Sequence, residues 1–189
     1  MSHTTITMFR VGDAMLLGMR GTKCASIALD DIERLLLTCS PERILKDSCK
    51  QGSMFLVQKA IERGATDWDL GLGGASLNAN LEIVNLMIEK GAWDWDMGLR
   101  AACEGGNLEI VNLMIERGAT DWNCGLEGAC WGGHLEFVNL MIEKGATDWN
   151  QGLWGACIGG HLEFANLMIE KGATNTSIIP RYFPDWKPK

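Results

Sequence analysis

Hydrophobic and polar positions along the chain repeat with a period of 27 residues. A Gly-Ala pair marks this period and recurs at Gly64, Gly91, Gly118, Gly145 and Gly172. The units that start at Gly118 and Gly145 are nearly identical, and the two units before them follow the same template with more variation. So strict an internal repeat predicts an array of like structural units, each burying its apolar face against its neighbours.

Each unit has the pattern of two short helices. In the third unit the first helix is predicted within 121–133, because an aspartate suited to N-capping opens the segment and glycines close it. The second helix, within 134–145, is apolar around most of its surface and ends in Lys-Gly. Its narrow polar stripe consists of Glu136, Asn139 and Glu143. The expected unit is helix, tight turn, helix and loop, and the expected fold class is all-α.

The two ends of the array differ from its centre. Four clear units occupy residues 64–171, and a degenerate unit is predicted over 44–63. Four residues of the degenerate unit stand in register with the later repeats: Leu45, Cys49, Val57 and Ile61. Residues 1–43 are predicted to form an N-terminal helical cap, since apolar residues within 27–39 have helical spacing. Residues 172–189 contain three prolines, which disfavour regular helix, and are predicted to be a cap over the last unit or a tail.

Composition narrows the possible functions. The chain of 189 residues is 47% hydrophobic and 22% charged, which is typical of a soluble globular protein. Its formal charge of -7 argues against nucleic acid as a partner, and no run approaches the ~20 apolar residues of a membrane-spanning helix. The seven cysteines are scattered and odd in number, which favours a reducing, intracellular compartment.

Two stretches of the unit carry a family resemblance. The stretch GGHLEFVNLMIEKGA resembles the second helix and exit of an ankyrin repeat, and GLxGACxGG resembles its first helix, over about residues 44–174. The ankyrin unit has about 33 residues and a T-P-L-H signature; here DWNxGL replaces that segment, so the β-turn finger is expected to be shortened or absent. These short, tryptophan-bearing units look most like ankyrin-repeat proteins of large DNA viruses, especially giant viruses of amoebae.

The resemblance implies an all-α, ankyrin-like solenoid that binds another protein on its concave face and has no catalysis of its own. For a viral protein it further implies a location in the host cytoplasm and a host or viral target. The identity of that target is not encoded in any motif. We expect a monomer or a weak homo-oligomer.

Positions that vary between units are the candidates for partner binding, because a position needed for stacking should recur in every unit. Variation concentrates in the first helix at i, i+3 and i+7, which share one helical face. We call the aligned set the variable face; in the first clear unit it comprises Leu70, Gly73 and Leu77. The predicted partner-binding residues are Met97, Arg100, Glu104, Cys124, Glu127, Trp131, Gln151, Trp154 and Ile158. Trp131, Trp154 and Ile158 would form its apolar centre, with the two tryptophans exposed, and Arg100, Glu104 and Glu127 would lie beside it.

Residues that recur at the period are interpreted as structural. This applies to the tryptophan ladder Trp68, Trp95, Trp122 and Trp149, to the aspartates that precede it, and to Cys103, Cys130 and Cys157. His134 and His161 alternate with Asn80 and Asn107, which predicts hydrogen bonding at a helix start. No catalytic motif, metal-ligand spacing or cofactor loop is visible, so we expect neither an enzyme nor a cofactor or metal.

Two other functions remain open. The array would serve as a structural or self-assembling component, such as a virion scaffold protein, if it forms oligomers without a partner. Alternatively, the segment 29–50 has a weak similarity to an F-box, which would make the protein a ubiquitin-ligase substrate adaptor.

Overall fold

The computed structural model describes residues 37–186, and this part of the chain contains helices and no strand. The α-helices of this part are α1 (Pro41–Gln51), α2 (Met54–Glu62), α3 (Trp68–Leu77), α4 (Leu81–Lys90), α5 (Trp95–Gly105), α6 (Leu108–Arg117), α7 (Trp122–Gly132), α8 (Leu135–Lys144), α9 (Trp149–Gly159), α10 (Leu162–Lys171) and α11 (Ile179–Tyr182). A 3-10 turn, Thr176–Ile178, precedes α11. Most of the predicted N-terminal cap, with the greater part of its helix over 27–39, lies outside the described residues.

Helix boundaries follow local chemistry. The aspartate before each first helix of the clear units is an N-cap, as where Asp94 Oδ1 accepts from the Met97 amide at 2.9 Å. Helices α4, α6, α8 and α10 each end at a glycine in the left-handed region, for which Gly145, with a φ of 111°, is representative. Both predictions are confirmed. The first helix of the degenerate unit begins at Pro41, three residues before the boundary expected at 44.

The helices form an all-α helical-repeat solenoid. Each first helix packs against the second helix of its own unit and against the first helix of the next unit, so that α1, α3, α5, α7 and α9 form a continuous row. Successive second helices approach one another less closely. Because one row is more tightly spaced than the other, the array curves toward the first helices, which line its concave side.

Glycines permit the close spacing of the first helices. A Cβ placed on Gly128 would overlap the carbonyl oxygen of Arg100, and one on Gly155 would overlap that of Glu127. The absence of a side chain at these positions therefore lets neighbouring helices meet backbone to backbone. The requirement is not uniform along the array, because Ala101 occupies the corresponding position in the second clear unit.

The core runs the length of the solenoid between the two rows of helices. Each clear unit contributes a buried leucine from the first helix and a buried methionine from the second, such as Leu126 and Met141. Cys103, Cys130 and Cys157 are fully buried among them, as their repetition predicted. The loops that join the clear units are only four residues long, as at Gly91–Asp94, and leave no room for a two-stranded finger.

A ladder of hydrogen bonds ties each unit to the next. Asn123, in the first turn of α7, accepts with Oδ1 from the backbone amides of Thr147 and Asp148, both at 2.8 Å. Asp69, Asp96 and Asn150 make the same pair of bonds to the loops that follow their own units. One side chain thus satisfies two loop amides 24 and 25 residues downstream.

The C-terminal segment folds back on the last unit. Ile179 is fully buried, and the indole Nε1 of Trp186 donates to Asn166 Oδ1 at 3.2 Å. Ile178, Tyr182 and Phe183 also pack against the core. The expectation that this proline-rich stretch lacks helix was wrong over one turn, because Pro180 lies in the first turn of α11, where its missing amide costs nothing.

Candidate functional site

The structure aligns the variable face along the row of first helices. The side chains of this face lie on α3, α5, α7 and α9. The glycine contacts and the ladder of loop hydrogen bonds hold the backbones of these helices in register. Most of these side chains are half-buried. Trp154 is the most exposed, with 46% of its surface accessible, and Ile158 lies one turn beyond it on α9.

Arg100 occupies the centre of this face. Its Nη1 lies 3.7 Å from Glu104 Oε2 on its own helix and 3.7 Å from Glu127 Oε1 on the next. The guanidinium stands 5.3 Å from the ring centre of Trp131, in cation–π range. Glu127 also accepts from Gln151 Nε2 at 2.9 Å, which links three successive units in one polar network.

These contacts correct one expectation about the site. Trp131 was expected to be exposed, but it is half-buried, and the Arg100 guanidinium of the preceding unit lies over its ring. The exposed apolar area of the variable face is therefore centred on Trp154.

Burial also raises the pKa of one carboxyl in this network. The pKa of the Glu104 carboxyl is raised, mainly because burial disfavours its charged form; Arg100 and Lys50 oppose that shift and Glu127 adds to it. Lys50, which lowers the pKa of Glu104, belongs to α1, two units away along the row. A charge that acts across two units is expected on a concave surface.

Cys124 and Met97 occupy the edge of the face nearest the helix starts. Burial, with a contribution from Asp121, raises the pKa of the Cys124 thiol to about 11, so it is a poor nucleophile at neutral pH. The Met97 side chain lies over the space left by Gly73, where its Cε is 3.3 Å from the position of a Cβ. The variable residues are thus fitted to one another across units.

The recurring residues have the structural roles that their repetition predicted. Trp68, Trp95, Trp122 and Trp149 are half-buried and pack against the core at the start of each first helix. On the opposite side, Glu82, Glu109, Glu136 and Glu163 are exposed on the second helices.

The histidine prediction was wrong. Asn107 does cap its helix, accepting from the Ile110 amide at 2.8 Å, but neither His134 nor His161 makes a side-chain cap bond. The imidazole of His134 instead packs against Gly106 of the preceding unit and lies 5.9 Å from the ring of Phe137. The histidines therefore contribute to stacking between units.

One exposed aromatic residue was missed from the sequence. Trp93 lies in the loop before α5 and is 73% exposed, more than any other tryptophan that the structure describes. The signal was present, because the other clear units have threonine at this position, for instance Thr120 and Thr147. Trp93 lies outside the variable face and supplies a matched control for it.

Other chemistry is limited in the described part of the chain. Nowhere within residues 37–186 do three or more His, Cys, Asp or Glu side chains converge as a metal site would require. Of the helices in this range, none has the length and apolar character needed to cross a membrane.

No known protein-family model matches the sequence, and the search of curated proteins returns no match.

Proposed function

We propose that this protein is a non-catalytic binding module that binds another protein through its variable face. The observation that carries the proposal is that repeated and varied residues of each first helix occupy different faces of that helix. The repeated aspartate, glycines, leucine and cysteine make the caps, close contacts and core, whereas the varied positions align on the concave side. A surface that changes from unit to unit on a constant scaffold is well suited to recognising one partner.

The composition of the surface supports the same function. Tryptophan and arginine are the residues most enriched in binding hot spots, and the variable face holds Trp131, Trp154 and Arg100 together. The face is also partly pre-organised, because Gln151 donates a hydrogen bond to Glu127 at 2.9 Å; Arg100 Nη1 lies 3.7 Å from Glu127 and makes no hydrogen bond within the described residues. Pre-ordered side chains lose less conformational entropy when a partner binds.

We further propose that the array is a shortened ankyrin-type solenoid and that its partner is a host or viral protein. The paired helices, the inner row of first helices and the four-residue loops support the first part of this proposal. The second part depends on the sequence resemblance to repeat proteins of large DNA viruses alone.

The experiment is affinity purification from cell lysate followed by mass spectrometry, with three forms of the protein. We expect the Trp131→Ala/Trp154→Ala variant to lose the partner that the unmodified chain retains, because each truncation at a hot spot costs about 2 kcal/mol or more. The control is Trp93→Ala, which removes a more exposed tryptophan outside the variable face and should retain the partner.

The outcomes separate this function from its rivals. Equal recovery by both variants would contradict the proposal, and recovery of a cullin adaptor through the N-terminal segment would favour the ligase adaptor. A partner-free oligomer seen by sedimentation would favour a structural, self-assembling component.

A further inference from the structure

The variable face continues onto the first helix of the degenerate unit. In register with its three positions, α1 carries Arg43, Lys46 and Lys50, all of them exposed. Arg43 pairs with Asp47 at 3.6 Å, whereas Lys46 and Lys50 form no ion pair with any residue that the structure describes. We call these three residues the basic end.

The opposite end of the same row is apolar. Trp131, Trp154 and Ile158 form what we call the apolar end, and no charged residue occupies the three positions on α9. Between the two ends, α3 contributes the uncharged Leu70, Gly73 and Leu77, and Arg100 lies between two carboxylates, Glu104 and Glu127, which leaves a formal charge of -1. The face is thus basic at one end, weakly acidic near its centre and apolar at the other end.

The basic end is opposite in charge to most of the molecule. The whole chain carries a formal charge of -7, and carboxylates line the second helices at Glu82, Glu109, Glu136 and Glu163. The ammonium groups of Lys46 and Lys50 have no ion pair within residues 37–186, and Glu104 lowers the positive potential only near Lys50, so this end of the concave side favours carboxylates in a partner.

Resting on the function proposed above, we propose that the occupant is a single segment of a partner protein that is acidic at one end and apolar at the other. Its carboxylates pair with Lys46 and Lys50, and its apolar side chains pack on Trp154 and Ile158. The carboxylates orient the segment and raise the rate of association. The apolar half of the segment provides most of the binding free energy.

The spacing of the helices gives the length of this segment. Four helix-to-helix steps separate α1 from α9, and at about 8–10 Å per step they span about 32–40 Å. An extended chain covers that distance with about 10–12 residues, and a helix with about 21–27.

The test is selection of random 24-residue displayed peptides on the full chain, since this length allows either backbone. We expect the enriched peptides to carry Asp or Glu in one half and Leu, Phe or Trp in the other. Synthesised and labelled, such a peptide should lose at least tenfold in affinity on Lys46→Glu/Lys50→Glu and on Trp154→Ala, measured by fluorescence polarisation.

A matched control isolates the position of the charge. Lys90→Glu/Lys171→Glu makes the same charge change on exposed lysines of α4 and α10, and should leave the affinity within about twofold because these lysines lie on the second helices. Raising the salt concentration should weaken binding to the unmodified chain and have little effect on the Lys46→Glu/Lys50→Glu variant.

Failure of this inference is distinct from failure of the proposed function. Enriched peptides without segregated acidic and apolar halves, which still lose binding on Trp131→Ala/Trp154→Ala, would overturn the inference and leave the binding face in place. Peptides that bind every variant equally would overturn both, and a selection that enriches no peptide would overturn the inference.

Discussion

The ladder of loop hydrogen bonds makes a prediction that a single substitution tests. In Asn123→Ala the amides of Thr147 and Asp148 both lose their acceptor at 2.8 Å. Two hydrogen bonds at about 0.5–1.5 kcal/mol each give about 1–3 kcal/mol. Because both hydrogen bonds are exposed, water replaces part of the lost hydrogen bonding. Alanine also has a higher helix propensity than asparagine, which restores about a few tenths of a kcal/mol. The expected loss in free energy of unfolding is about 1–2 kcal/mol.

Urea denaturation followed by circular dichroism measures this loss, with two variants as references. Asn139→Ala makes the same substitution at an exposed position of α8 and should change stability by less than about 0.5 kcal/mol. Asn123→Asp keeps the acceptor, as Asp96 does in the preceding unit, and should be close to the unmodified protein. Hydrogen exchange should also quicken at Thr147 and Asp148. An Asn123→Ala variant as stable as Asn139→Ala would refute the reasoning.

Three further predictions concern the packing and the thiols. Gly132→Ala should destabilise the fold by about 2–3 kcal/mol in the same assay, because its Cβ would overlap the carbonyl oxygen of Glu104; Gly73→Ala, which meets only a flexible methionine tip, should be neutral or slightly stabilising. Ser76→Cys should raise the melting temperature by a few degrees, since the buried hydroxyl has no hydrogen-bond partner; an unchanged or lower value would mean that the hydroxyl is satisfied. Burial raises the pKa of the Cys103 and Cys130 thiols to about 12, whereas an unfolded thiol titrates near about 8.5. Above about pH 9 the unfolded state therefore releases protons that the native state keeps, and stability should fall from there toward pH 12 by up to about 1.4 kcal/mol per pH unit for each thiol. Urea unfolding at pH 7 and pH 10 tests this, and equal stabilities would contradict it.

The repeat itself made much of the fold predictable. Aspartate caps, left-handed glycines and buried cysteines depend on local sequence, and each was read from one unit and found in the others. The ladder was not predicted, although Asn123 and its counterparts recur at the period. Its acceptors and donors lie 24 and 25 residues apart, and their pairing depends on how closely the units stack.

The candidate site was predictable in position but not in detail. Alignment of the varied residues on one face follows from helical spacing and stacking. The burial of Trp131 does not, since it depends on which rotamer Arg100 adopts across the boundary between two units. The packing of His134 on Gly106 was missed for the same reason. The aspartate caps and glycine ends of the helices were predictable within one unit, whereas the contacts between units depend on how the units stack.

An exchange between the last two units tests the central claim most directly. Units three and four share nearly all their residues, so the variable positions of α7 and α9 can be exchanged while composition is preserved. The exchanged pairs are Cys124 with Gln151, Glu127 with Trp154, and Trp131 with Ile158. If repeated residues build the scaffold and varied residues bind, the melting temperature should change by only a few degrees and the partner captured by the unmodified chain should be lost. Unfolding of the exchanged protein, or full retention of the partner, would contradict the account.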